Sequence, residues 1–145
     1  MIEAIGTPFE RQIQRTFDGL NRVLTVEVTG ADGAQIDGIT SYTYEDNGNL
    51  TTVTDETGLV TTMTYDRLER LIANDNPAEG LNQRTYNNAG KLIQHINGDG
   101  DIHTYEYDEV SRLVCSTDPE SFVKGYAYDR RNNVTTSFHT TCLNA

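Results

Sequence analysis

A seven-residue motif that begins with an aromatic residue recurs along this chain at a fixed interval. The last five copies start 21 residues apart, and the first copy precedes the second by 27. Self-similarity at a step of about 20 to 50 residues is typical of repeat proteins, in which each repeat is one supersecondary unit. The motif starts are Phe17, Tyr44, Tyr65, Tyr86, Tyr107 and Tyr128.

The second and fifth positions of the motif predict a β-hairpin turn. Five of the six second positions are Asp or Asn, whose side chains accept hydrogen bonds from backbone N–H groups just ahead. Four of the fifth positions are Gly or Asn, which adopt the left-handed backbone conformation at little cost. A type I turn followed by such a residue closes a three-residue hairpin loop. Glu69 and Ser111 occupy the fifth position in the other two copies, where they should cost about 1–2 kcal/mol each.

This turn also predicts which residues face each other across each hairpin. The second position pairs with the sixth, and the first pairs with the seventh, so that opposite charges and aromatic–aliphatic pairs add to sheet stability. The predicted polar pairs are Asp18–Arg22, Asp66–Arg70, Asp108–Arg112 and Asn87–Lys91. The predicted aromatic pairs are Phe17–Val23, Tyr44–Leu50, Tyr65–Leu71, Tyr86–Leu92, Tyr107–Leu113 and Tyr128–Val134. The structural motif is completed by the turn residues Gly48, Gly90 and Asp129.

The segments between the hairpins predict looser turns, because they are rich in Pro, Gly, Asp and Asn (55–58, 74–80, 97–101 and 117–121). A lone hairpin is barely stable in water, and stacking of neighbours supplies the missing strand pairing. We find no convincing helical pattern. The sequence therefore predicts an all-β fold, a curved antiparallel sheet of stacked hairpins. It would be a single array over residues 1–145 of six repeats, with a longer link at 29–39 and an incomplete repeat from about residue 138.

Composition excludes some classes of partner. The formal net charge of −11 argues against nucleic-acid binding, since phosphate contacts need Lys and Arg. No apolar run approaches the length of a membrane span. The first residues lack the basic-then-apolar layout of a secretion signal, so export of this fragment would use no classical signal peptide. The acidic residues concentrate in the turns between hairpins, where solubility and shielding of sheet edges explain them.

The Tyr-Asp-x-x-Gly-Arg-Leu type of motif at this spacing, over about residues 1–140, resembles the YD repeat of the RHS family. That family includes bacterial polymorphic toxins, shell components of insecticidal toxin complexes and the animal teneurins. The resemblance implies a β-ribbon that spirals into a hollow shell around a toxin domain. Six repeats are too few to close such a shell, and Asp118-Pro119 lies in an ordinary link rather than in the family's Asp-Pro core motif.

The function implied by this resemblance is that of a non-catalytic structural segment, bacterial and secreted or exposed at the cell surface. Its partners would be the remaining repeats of a larger shell or a second copy of the chain, and a homodimer is one form of the latter. A toxin cargo is implied only in a full-length parent. The alternative is a cell-surface adhesion or glycan-binding module, in which the tyrosines stack on sugar rings instead of packing between repeats.

No catalytic, cofactor-binding or metal site is predicted. His139 and Cys142 have a spacing seen in metal sites, but two ligands do not make a zinc site. Residues 97–101 resemble the first half of a calcium loop but lack its glycine at the sixth place, so a turn is favoured over calcium binding. Cys115 and Cys142 occupy non-equivalent repeat positions, and two thiols are favoured over a disulfide.

Overall fold

The computed structural model describes residues 12–29 and 36–138, and every regular element in those residues is a β-strand. The all-β prediction is therefore confirmed. The strands are β1 (Gln12–Phe17), β2 (Val23–Thr29), β3 (Ile36–Tyr44), β4 (Leu50–Thr54), β5 (Val60–Tyr65), β6 (Leu71–Asn76), β7 (Gly80–Tyr86), β8 (Leu92–Ile96), β9 (Ile102–Tyr107), β10 (Leu113–Thr117), β11 (Val123–Tyr128) and β12 (Val134–Phe138).

The chain divides into two compact units, Met1–Thr64 and Tyr65–Ala145. In the first unit, β1 to β5 lie side by side in chain order, and each paired neighbour is antiparallel. In the second unit, β6 to β12 do the same. The stacking of antiparallel hairpins predicted from the repeat is confirmed within each unit.

The predicted turn is present in all six copies of the motif. The backbone N–H of the second position donates to the carbonyl of the sixth at 2.9 to 3.0 Å, and the N–H of the fifth donates to the carbonyl of the second at 2.9 to 3.1 Å. Every fifth position has a positive φ, which is the left-handed conformation that the turn requires. The φ values are 63° at Asn21, 100° at Gly48, 62° at Glu69, 79° at Gly90, 66° at Ser111 and 65° at Asn132.

The links between hairpins are not looser turns, and this part of the prediction is wrong. In the links that start at Asp55, Asn97 and Asp118, the same two backbone hydrogen bonds close the same turn at 3.0 to 3.1 Å. The left-handed residue is again the fourth of the link: Gly58, Gly100 and Ser121. The link at 76–80 is one residue longer before its left-handed Gly80. The missed signal was an Asp or Asn followed three residues later by Gly or Ser.

The register across the hairpins is the predicted one. In five of the six hairpins the first position pairs with the seventh after a one-residue shift that follows the turn, as a bulged three-residue loop requires. The observed pairs are Phe17–Val23, Tyr44–Leu50, Tyr86–Leu92, Tyr107–Leu113 and Tyr128–Val134.

The sheet has little fully buried apolar surface. Among the described residues, Cys115 is the one buried hydrophobic side chain, at 1% exposure. It faces Gly125 of the next strand, which is also buried. Cys115 is disulfide-bonded, so the expectation of two thiols is wrong, and Cys142 lies outside the described residues. The first, second and seventh positions of the motif are each half-buried in five of the six copies, so cross-strand and inter-hairpin contacts must supply much of the stability.

Two predictions fall largely outside the described residues. The first is the incomplete repeat from about residue 138, which includes His139. The second is the long link at 29–39, which is described only at its ends. There β2 extends to Thr29 and β3 begins at Ile36, so the link is shorter than predicted.

Replacing Glu69 by Gly should stabilise the protein. Glu69 sits at a φ of 62°, where a side chain costs about 1–2 kcal/mol, and Gly returns roughly 0.5–1 kcal/mol of that through its more flexible unfolded state. We expect a net increase in the free energy of unfolding of about 0.5–1 kcal/mol, measured by urea denaturation. The matched control is Arg67→Gly, two residues earlier in the same turn, which should destabilise. A loss of stability on Glu69→Gly would contradict the turn assignment.

Candidate functional site

The charged residues of the motif form an ion pair inside three of the hairpin turns. In the first, third and fifth hairpins the Arg at the sixth position lies 2.6 Å from the carboxylate at the second. The other carboxylate oxygen accepts two backbone N–H bonds of the turn, as Asp18 does from Leu20 and Arg22 at 2.9 Å. The predicted pairing is confirmed for Asp18–Arg22, Asp66–Arg70 and Asp108–Arg112.

Each of these arginines also contacts the next hairpin, which the sequence analysis did not predict. The guanidinium of Arg22 lies 4.7 Å from the ring centroid of Tyr44, within the range of a cation–π interaction. It also donates to the carbonyl of Glu45 at 3.0 Å. The equivalent contacts join Arg70 to Tyr86 at 4.7 Å and Arg112 to Tyr128 at 4.6 Å.

Four of the motif tyrosines fasten their hairpin to the one before it. The hydroxyl of Tyr44 donates to the carbonyl of Val23, the seventh position of the preceding hairpin, at 2.9 Å. Tyr86, Tyr107 and Tyr128 make the same bond to Leu71, Leu92 and Leu113, at 3.0, 3.0 and 2.7 Å. The ladder to the following strand begins two residues after this position, as at Gln94 after Leu92, so the tyrosine supplies a donor to a carbonyl that lies beyond the end of that ladder. These bonds place the rings between neighbouring hairpins, as the packing alternative predicts, and an Arg also covers the rings of Tyr44, Tyr86 and Tyr128.

The contacts alternate from hairpin to hairpin. The first, third and fifth turns carry the Asp–Arg pair, whereas the second, fourth and sixth place Asn49, Lys91 and Asn133 at the sixth position. The tyrosines that receive an Arg are those of the second, fourth and sixth hairpins, which are 42 residues apart. The structural repeat of side-chain contacts is therefore two hairpins long. The alternation between Arg and Asn or Lys at the sixth position is visible in the sequence. The tyrosine that each Arg contacts in the next hairpin is not.

The turn geometry lowers the pKa of the second-position carboxylates. The pKa of Asp18 and of Asp108 lies below the ordinary value of 3.8 mainly because the carboxylate accepts the backbone N–H of the sixth position. The pKa of Asp66 is lowered first by the side-chain hydrogen bond from Arg70, and that of Asp129 by the one from Asn133. Each hydrogen bond favours the ionised carboxylate.

The two described histidines lie together on one face of the sheet. His95 and His103 are directly paired across β8 and β9, and their rings stack with centroids 6.1 Å apart. Arg84 on β7 is the opposite neighbour of His95. Burial, then the charges of Arg84 and His103, lower the pKa of His95. No group of three His, Cys, Asp or Glu side chains that would hold a metal ion occurs within residues 12–29 and 36–138.

The stretch that resembles a calcium loop is one of the repeated turns. Asn97 Oδ1 accepts the backbone N–H groups of Asp99 and Asp101 at 3.1 and 2.8 Å, and its amide donates to the Asp101 carboxylate at 3.1 Å. Gly98 is needed because a Cβ there would overlap the carbonyl of Glu79 in the neighbouring link. These bonds account for the residue types of the stretch without an ion.

The comparisons with known proteins agree with the resemblance noted in the sequence. The family model described as RHS Repeat matches residues 44–81, which include the second and third copies of the motif. The resemblance to the RHS repeat family is therefore confirmed. No match was found among the curated proteins.

Several solved structures share the fold of the chain. A crystal structure of TcdB2–TccC3–Cdc42 is 21% identical with a TM-score of 0.66, over 86% of this chain. The Tc holotoxin pore of Photorhabdus luminescens is 19% identical with a TM-score of 0.60, over 88% of this chain. The chain spans 7% and 9% of the length of those two proteins.

Within residues 12–29 and 36–138, no helix is long and apolar enough to cross a membrane.

Removing the hydroxyl of a motif tyrosine should loosen the joint between two hairpins. Tyr86→Phe, Tyr107→Phe and Tyr128→Phe each delete one bond to the preceding hairpin, and each should cost about 1 kcal/mol of unfolding free energy. Chemical denaturation measures the loss. Tyr105→Phe, on the same strand as Tyr107 but outside the motif, is the control and should change stability less. Equal losses in all four variants would contradict the role of the hydroxyl.

Acid should weaken the turns. Because the folded pKa of the second-position carboxylates is depressed, their stabilisation is present above the unfolded value of 3.8 and is lost as the pH falls below it. We expect the melting temperature of the wild type to drop more between about pH 5 and pH 2.5 than that of the triple variant Asp18→Asn, Asp66→Asn, Asp108→Asn. Asn keeps the turn acceptor, as Asn87 does, without the charge.

The control for this experiment is Asp46→Asn, at the third position of the second turn, outside the hydrogen-bonded carboxylate set. It should show the same acid-induced drop as the wild type. Parallel melting curves for the wild type and the triple variant would rule out the linkage between turn carboxylates and stability.

Proposed function

We propose that this chain is a non-catalytic structural segment of an RHS-type β-shell, of the kind that encloses a toxin domain. The observation that carries the proposal is the use of the motif side chains. Each Asp caps its own turn, each Arg covers the next tyrosine, and each bonded tyrosine holds the previous hairpin. Side chains that are engaged in joining neighbouring hairpins build a continuous sheet and are not available to reacting groups. A wall is the function such an arrangement serves best.

The proposal treats residues 1–145 as one curved array of six hairpins. The motif residues are its structural site, because each of them contributes to the turn, to the cross-strand pair or to the joint with the next hairpin. In each unit the same joint recurs, as between Arg22 and Tyr44 in the first and between Arg112 and Tyr128 in the second. Recurrence of one joint is what allows a ribbon to extend beyond six hairpins.

The partners we propose are the remaining hairpins of a longer shell, with a toxin domain as cargo in the full-length parent. The fold likeness to TcdB2–TccC3 and to the Photorhabdus luminescens Tc holotoxin pore supports this assignment, as does the small share of those proteins that the chain spans. We further propose a bacterial protein that acts outside the cell. A disulfide at Cys115 supports such a location, because disulfides persist in oxidising compartments.

The proposal is tested on the longest natural polypeptide that contains this sequence. Electron microscopy of that purified polypeptide should reveal a hollow shell, and limited proteolysis should leave the segment inside the shell intact. The combined variant Tyr86→Phe, Tyr107→Phe, Tyr128→Phe should make the inner segment digest faster, whereas Tyr105→Phe should leave its protection unchanged. A solid or extended particle, or an inner segment that is cut as fast as free peptide, would overturn the proposal.

A further inference from the structure

In the second unit, Tyr65–Ala145, the turns form two rows, one at each end of the strands, and we call each row of turns an edge. The motif turns lie at one end, which we call the tip edge (turns 66–70, 87–91, 108–112 and 129–133). The link turns lie at the other, which we call the link edge (turns 76–80, 97–101 and 118–122). Antiparallel hairpins in chain order place successive turns at alternate ends of the strands.

Both edges expose apolar side chains at recurring positions. On the tip edge, Leu68 and Val110 occupy the fourth position of the Arg-bearing turns and are 71% and 68% exposed. The intervening turns have Ala89 and Arg131 there. On the link edge, Phe122 closes its turn at 71% exposure, and Ile102 follows its turn at 45%. A scattered exposed apolar residue needs no explanation, but recurrence at one place in the turn predicts a contact surface.

The edges differ in charge. The link-edge turns hold five acidic residues and no Lys or Arg: Glu79, Asp99, Asp101, Asp118 and Glu120. The tip edge carries six of the eight Lys and Arg residues of the second unit together with five acidic residues, so its turns have a net charge of +1, against −5 for the link-edge turns. Two of these six, Arg70 and Arg112, are paired with the carboxylates of their own turns. Arg67, Lys91, Arg130 and Arg131 are exposed.

The spacing of the two edges is the same. Neighbouring turns on either edge are two strands apart, which is about 9.6 Å for strands spaced by about 4.8 Å. The link edge, with its net charge of −5, is attracted to the four exposed cations of the tip edge and repels a second link edge. Two tip edges gain no such attraction, because each also exposes Glu69 and Glu109 and has a net charge of only +1.

We propose that the link edge of one copy of this chain docks on the tip edge of a second copy. Exposed aliphatic tips would lie between the links, and link carboxylates would face Arg67 and Arg130. The contact joins two different surfaces, so it does not close into a two-fold dimer and adds copies side by side. The biological meaning of this docking rests on the proposed structural role in a shell. The docking adds to that role the surfaces by which one row of hairpins contacts the next.

Sedimentation velocity of the chain alone tests this docking. At low salt the average mass should rise above the 16.2 kDa of one chain with increasing concentration, and salt should lower it. The link-reversed variant Glu79→Lys, Glu120→Lys should associate at least about tenfold more weakly than the wild type, because like charges then face each other. The tip-reversed variant Arg67→Glu, Arg130→Glu should be weakened to the same extent. An equimolar mixture of the two variants should regain the wild-type association.

Two further variants separate edge docking from other causes. Glu106→Lys reverses an exposed charge within β9, outside the turns of both edges, and should leave association unchanged. Leu68→Ser combined with Val110→Ser should weaken association without altering its salt dependence. Circular dichroism checks that every variant folds. A wild type that stays monomeric at all concentrations would overturn the docking, as would an effect of Glu106→Lys equal to that of the edge variants, or a mixture that does not recover. A failed shell experiment on the parent polypeptide would leave these results on the isolated chain unaffected.

Discussion

The left-handed residue in each turn is the constraint on which the rest of this structure depends. A single residue with positive φ, placed three after an Asp or Asn, closes a loop of fixed length and so fixes which residues pair across the hairpin. A slip of one residue would move every side chain of a strand to the other face. The turn recurs at both ends of the strands, so register is set again at nearly every reversal of the chain rather than accumulated over its length.

The second level of organisation joins hairpin to hairpin and uses the same few residues. The ion pair in the turn orients the guanidinium, and the oriented guanidinium lies over the tyrosine of the following hairpin. The hydroxyl of that tyrosine then donates to the backbone carbonyl of the residue that follows the Arg, as Tyr44 does to Val23. A fold with almost no fully buried apolar residues in its described part gains cohesion in this way, because each charged group is satisfied on two sides. The same residues therefore close the turn and connect it to the next hairpin.

Much of this could be predicted from the sequence, because the information is local. The turn, the left-handed fifth position and the Asp–Arg pair all lie within seven consecutive residues, as at Asp66–Arg70. The joint between hairpins could not be predicted in the same way. Arg70 and Tyr86 are separated by a strand, a link and another strand, and only the placement of neighbouring hairpins shows that they meet.

The prediction that the links are looser turns was wrong for a different reason. Their Pro and Gly content suggested irregular turns, but Asp118 to Phe122 form the same hydrogen-bonded turn as the motif with Ser121 in the left-handed position. The Pro and Gly content of the links predicted the wrong type of turn. The three-residue spacing from the Asp to the following small residue predicts the right one. The bonding of Cys115 was also misjudged, because sequence position within a repeat does not report distance across a sheet.

The alternation of Arg-bearing and Arg-lacking hairpins bears on how such a gene can lengthen. Duplication of a single Arg-lacking hairpin would place two such hairpins side by side, and the tyrosine of the second would have no guanidinium over its ring. Duplication of a pair, 42 residues, would preserve every joint. We therefore expect arrays of this kind to gain or lose hairpins two at a time.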